Sequence, residues 1–279
     1  MLELGWRRLL PTLVGALLLF TLSCASEPAG VAGGPVEPLE PVIEGIDDEA
    51  DRVLREMSEF LAGTAEFRFE ADLLVEDVLE TGQKLQFGER ATAIVRRPDR
   101  FAAERSGDAM ARTVVYDGTR VSVLDEAEGV YAVVDVPGTI DGMLDHMADL
   151  YGVTIPIADF VFSSPYEALV EEGAAGHYVG LHDVAGVMCH HIAVSQEAVD
   201  WQIWIEAGER PLPRKLVITY KHVVGAPQFI AFLHDWDLSP EVPDQTFVFE
   251  PPDGVEQIEF TPYPADEWQE REQDDGRMQ

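Results

Sequence analysis

The segment AEFRFEADLLVEDV (65–78) alternates apolar Phe67, Phe69, Ala71, Leu73 and Val75 with polar Glu66, Arg68, Glu70 and Asp72. That period of two limits the fold more than any other feature. Successive side chains of a strand point to opposite faces, so such a segment builds a sheet with one buried face and one wet face. The same pattern predicts strands at 84–97, 99–107, 112–118, 119–126 and 129–137, and again at 176–184, 186–196, 199–207, 213–222, 227–239 and 244–252. Asp117-Gly118 and Glu128-Gly129 supply tight turns. Short consecutive strands joined in this way form an antiparallel meander.

Helical spacing interrupts the meander. Between a cap at Asp47 or Asp48 and a stop at Gly63, Ala50, Val53, Leu54, Met57, Phe60 and Leu61 fall on one face. Behind Thr139, Ile140, Met143, Leu144, Met147, Leu150 and Tyr151 share another, and Gly152 ends it. A shorter helix is expected at SPYEALVEEG (164–173).

At the start of the chain, Arg7 and Arg8 precede an apolar run from Leu9 to Leu22, followed by Ser23, Cys24 and Ala25. This is the order of a secretory signal. The run falls short of the ~20 apolar residues that a spanning helix needs. Ser23 and Ala25 fit a small-x-small cleavage site, whereas Leu22-Ser23-Cys24 has the form of a lipoprotein box that would leave Cys24 lipidated; both readings stand. The expected organisation is a signal peptide over 1–25, a flexible linker over 26–46, one domain over 47–262 and an acidic disordered tail over 263–279. With Cys24 removed or acylated, Cys189 has no partner for an intramolecular disulfide. The 19 basic and 52 acidic residues give a formal charge of -33, which argues against nucleic acid and against docking on anionic lipid.

The richest group of potential ligands is VMCHHIAV (187–194). On a strand, His191 shares a face with Cys189 while His190 takes the other, so the two histidines do not chelate one ion together. A metal site would use Cys189 and His191 with His177 or His182 from the preceding strand. The chain has no HExxH, CxxC or GxSxG signature, so neither a cofactor nor an enzymatic activity is expected. A second set of residues is apolar. Phe67, Phe69, Phe101, Tyr131 and Trp201 fall on alternating strand positions, as do Ile203, Ile205, Leu216, Ile218, Tyr220, Phe247 and Phe249. The helices add Met57, Phe60, Met143 and Met147. These residues read either as an ordinary core or as an apolar cavity under a methionine-rich lid.

Three stretches, IVRRPDRF (94–101), VYDGTRVSVLDEAEGVYAVVDVP (115–137) and QTFVFEPPDGV (245–255), resemble the LolA family of periplasmic carriers of outer-membrane lipoproteins. Taken with GVMCHHIAV (186–194), VDWQIWIEAGERPLPRKLVITYK (199–221) and DWDLSP (235–240), the chain is similar to an uncharacterised family of predicted periplasmic proteins, domain of unknown function 2092. The resemblance implies a mainly β (α+β) fold of LolA/LolB/LppX type, an unclosed antiparallel half-barrel with helices covering its concave face. It further implies an apolar cavity for a lipid, an acylated peptide or another amphiphile, and a lid latch at Arg97, the arginine before Pro98. The protein implied is a non-catalytic, exported carrier or chaperone of the periplasm or cell envelope, anchored there if Cys24 is acylated, with an envelope protein as a further partner. Two alternatives remain: an anchored interaction or sensor module with a filled core, and a metal-binding protein using Cys189 and His191.

Overall fold

The computed structural model describes residues 45–108, 110–153 and 157–262. The signal peptide, most of the linker, Cys24 and the acidic tail lie outside the described residues.

Helix α1 spans Asp48–Ala62. The Asp47 carboxylate caps it, accepting from Ala50 N at 2.7 Å through Oδ1 and from Tyr178 N at 2.8 Å through Oδ2. One side chain thus starts the helix and pins it to the sheet. The first meander follows: β1 (Glu66–Val78), β2 (Lys84–Arg96), β3 (Arg100–Gly107), β4 (Ala111–Tyr116), β5 (Arg120–Asp125) and β6 (Val130–Asp135). Helix α2 (Ile140–Tyr151) has Thr139 Oγ1 accepting from Gly142 N at 3.1 Å, and it ends at Gly152, whose φ of 62° is the left-handed conformation glycine adopts without steric cost. A 3-10 turn (Ala158–Phe160) and the short α3 (Pro165–Leu169) lead into the second meander. This comprises β7 (Ala175–Val184), β8 (Val187–Ser195), β9 (Val199–Glu206), β10 (Pro213–Tyr220) and β11 (Gln228–Asp237), with the two-residue β12 (Glu256–Gln257) beyond it.

All of these strands form one 12-stranded sheet in the order β12-β6-β5-β4-β3-β2-β1-β11-β10-β9-β8-β7. The terminal strands β7 and β12 do not pair with each other, so the half-barrel is unclosed. The meanders meet where β1 pairs with β11, from Arg68 opposite Asp237 to Val75 opposite Phe229. Among the described strands, only β12 runs parallel to its neighbour, β6. The core occupies the inner face: Met57 and Leu61 of α1 and Met143 of α2 pack with Phe67, Phe69, Val95, Ile203 and Leu216 of the sheet.

Two elements depart from the sequence expectation. The segment 244–252 is not a strand. It is a 3-10 turn (Asp244–Phe247) followed by residues outside any ladder, and Pro251 and Pro252 have no N–H to donate to one. It covers the outer face of the first meander instead. Phe247 is buried with the Arg96 guanidinium 4.9 Å from its ring centre, and Phe249 lies 5.5 Å from Tyr131. The helix expected over 164–173 stops at Leu169, because Val170 is already extended.

Candidate functional site

The residue following β2, Arg97, is where the sheet grips the chain between α2 and α3. Its guanidinium donates through Nη1 to Val161 O at 2.7 Å and through Nη2 to Phe162 O at 2.9 Å. Its Cζ lies 5.6 Å from the centre of the Phe67 ring. The third nitrogen, Nε, is buried with no hydrogen-bond partner. Burial pulls the guanidinium below its ordinary pKa, against the opposing charge of Asp141. A desolvated cation with an unpaired donor is a costly group to keep in a fold.

The segment it holds, 157–164, acts as a strap over the inner face. Phe160 and Val161 are buried in the core. Asp141 of α2 accepts from Ser163 N at 2.9 Å and from the Ser163 hydroxyl. Ser58 of α1 accepts from Tyr166 N at 3.0 Å. Gln196, buried between β8 and β9, donates to Leu169 O at 2.9 Å and accepts from Trp201 Nε1 at 2.7 Å. Sequence reasoning missed Phe160, Ser58, Asp141 and Gln196. The strap has neither helical nor strand period, and Gln196 reads as the polar end of the 186–196 strand until the indole N–H that needs it is placed.

The inner face is covered. Phe67, Phe69, Ile203, Ile205 and Leu216 are 0% exposed, Phe101 3% and Trp201 4%. Ile218 and Tyr220 are half-buried at the margin of the same cluster. Of the expected lid, Met57, Met143 and Met147 are buried and Phe60 is half-buried against the core. Tyr131 belongs elsewhere. It stands opposite Leu124, in register with the outer face, while Val134 opposite Val121 faces inward. Its hydroxyl donates to Gln257 Oε1 at 3.2 Å.

Two surface pockets flank the strap and the sheet end. One of about 370 Å³ is lined by Asp141, Asp145, Asp159, Ser163, Ser164 and Glu167 together with Phe162 and Ala168. The other, about 400 Å³, lies among Arg96, Asp99, Arg100, Asp117, Thr119 and Asp244 with Phe247 and Val248. Neither wall suits an alkyl chain. In the first, burial pushes the Asp159 carboxyl up to about 7.

VMCHHIAV is β8. His190 faces inward and shares a hydrogen bond of 2.9 Å between its Nδ1 and the Tyr178 hydroxyl. His191 faces outward, stacked on Trp204 at 4.0 Å, with Nδ1 at 3.1 Å from His182 Nδ1 and Nε2 at 3.1 Å from Gln202 Oε1. Cys189 is fully buried, and burial pushes its thiol up to about 11. Among the described residues, the ligand atoms that converge are those of Glu70, His234 and Asp235, not those of Cys189 and His191.

Several solved structures are similar in outline. LprF from Mycobacterium bovis is 13% identical, with a TM-score of 0.45, over 71% of this chain and 98% of that one. A LolA superfamily protein from Nitrosomonas europaea is 8% identical, with a TM-score of 0.37, over 72% and 97%. The lipoprotein LppX from Mycobacterium tuberculosis is 9% identical, with a TM-score of 0.36, over 71% and 100%. None is similar enough to lend this chain its ligand. No curated protein matches the chain. The family model described as "Predicted periplasmic protein (DUF2092)" matches residues 50–261, most of the chain, and the protein belongs to that family.

Proposed function

We propose that the protein is an exported, non-catalytic binder of a lipid, an acylated peptide or another amphiphile, and that the conformation described is its closed state. The observation that carries this reading is Arg97, a desolvated arginine spending its two terminal nitrogens on the carbonyls of Val161 and Phe162 while Nε stays unpaired. Such a clamp is more expensive than packing requires, and it joins the sheet to the strap that hides the inner face. Releasing the strap exposes Phe67, Phe160 and their neighbours. An alkyl chain then replaces the lost contacts at ~0.8 kcal/mol for each CH₂ removed from water. No polar motif is needed for affinity, in keeping with the lack of a catalytic signature.

The test is native mass spectrometry of protein purified from a cell envelope, followed by titration with a sixteen-carbon lysophospholipid. The expected result is a bound amphiphile, with Arg97→Leu accelerating uptake and release while the sheet stays folded. A protein that carries none and takes up none, in either form, sinks the proposal. A second reading, an interaction or sensor module, is favoured by the filled inner face. It predicts no lysophospholipid uptake and a loss of overall stability in Arg97→Leu as its main effect.

A further inference from the structure

The outer face of the sheet carries a group of side chains that the amphiphile reading does not use. Glu70 and Asp72 of β1 alternate with the buried Phe69 and Ala71, so they point outward. His234 of β11 stands directly opposite Glu70. Beyond it the register shifts, because Arg68 pairs with Asp237, which leaves Asp235 and Trp236 opposite the single residue Phe69. Asp235 adopts φ 50°, a left-handed conformation uncommon for a residue other than glycine. The bulge sends Trp236 inward, 4.6 Å from the Phe69 ring centre, and turns the Asp235 carboxylate back beside His234.

We propose that Glu70, His234 and Asp235 form a binding site for one divalent transition-metal ion, with Asp72 orienting the imidazole. One ligand atom from each of the three lies within 4.8 Å of the other two. Metal–ligand bonds of about 2.0–2.2 Å hold donors no more than about 4.4 Å apart around one ion, so side-chain adjustment of this open site brings the three atoms to it. His234 Nδ1 is 2.9 Å from Asp235 Oδ2, so the ligand nitrogen already faces a ligand carboxylate. His234 Nε2 is buried without a hydrogen-bond partner, and Asp72 Oδ2 lies 3.4 Å from it. A carboxylate behind the second ring nitrogen is the usual way a metal-binding imidazole is aimed. Arginines hold one oxygen of each β1 carboxylate: Arg68 bonds Glu70 Oε1, and Arg90 bonds Asp72 Oδ1 at 3.3 Å. An imidazole with two carboxylates suits zinc and its neighbours among the divalent metals. The Asp235 side chain is 69% exposed, so the site is open to solvent and to coordinating water.

The experiment is calorimetric titration of the full, chelator-washed chain with zinc alone. The expected result is one ion bound per chain, with binding abolished in His234→Ala, lost or severely weakened in Asp235→Asn, and weakened on the order of 10–100-fold in Asp72→Asn. His191→Ala and Cys189→Ser should bind as the parent does. Should His234→Ala fail to fold, Asp235→Asn decides, since asparagine tolerates the left-handed backbone there. No binding by the parent up to about 1 mM zinc, binding that survives the Asp235 and His234 changes, or binding lost with His191 instead overturns the proposal. The outcome is independent of lysophospholipid uptake.

Discussion

At the scale of single residues, the fold keeps several ionisable groups in poor solvation. Asp159 is the clearest, with its carboxyl raised to about 7 by burial. It sits in the pocket wall with Asp141 and Asp145 of α2 and Glu167 of α3, and burial alone accounts for its shift. Because its folded pKa lies above the ordinary 3.8, the folded chain holds a proton that the unfolded chain has released between pH 3.8 and about 7. Stability therefore falls as pH rises through that window. Asp159→Asn should match the parent at pH 4 and exceed it at pH 8 by urea denaturation; an equal difference at both pH values refutes the assignment. Asp159 stands in IPIADFVF, a stretch without strand or helix period, so its burial was not legible in sequence. Arg97 was legible as a position through family resemblance. Its carbonyl partners were not, since they lie about sixty residues further on in a segment with no pattern.

At the scale of elements, the caps are written locally. Asp47, Thr139 and Gly152 each do at a helix end what their chemistry favours, and α1 and α2 fall within a residue of the expected limits. Asp47 does one thing more, reaching Tyr178 N on β7 with its second oxygen. Asp47→Ala should cost about 1 kcal/mol for the cap and about as much again for the half-buried bond to β7. Asp47→Ser should recover only the first, with thermal unfolding as the measure. The strand pattern is equally local, yet it leaves open which face is inward. Tyr131 shows the consequence. It alternates as an inner residue does, but the register of β5 and β6 turns it outward, and the segment around Phe249 that covers it reads as a strand yet joins no ladder. His234 and Asp235 illustrate a related limit, because strict alternation puts them on opposite faces and only the bulge reunites them.

At the scale of the whole molecule, two meanders share one core because β1, the first strand, lies beside β11, the last long one. Residues of both meanders, Phe67 and Val95 on one side and Ile203 and Leu216 on the other, pack under the same helices. Neither half buries its inner face without the other. The chain is therefore expected to unfold in one transition, with tryptophan fluorescence and far-ultraviolet circular dichroism giving the same midpoint. Two separated midpoints would mean that the meanders are independent. What the sequence alone determined was the local menu: period-two strands, their tight turns, two capped amphipathic helices and the family they belong to. Those follow from side-chain alternation and backbone chemistry within a few residues. Only the tertiary structure decided that β1 meets β11, that a patternless strap lies over the inner face and is bonded to Arg97, and that a bulge gathers Glu70, His234 and Asp235. Each of these joins residues far apart in the chain or breaks the local period, and long-range packing selects among arrangements that local chemistry leaves equal.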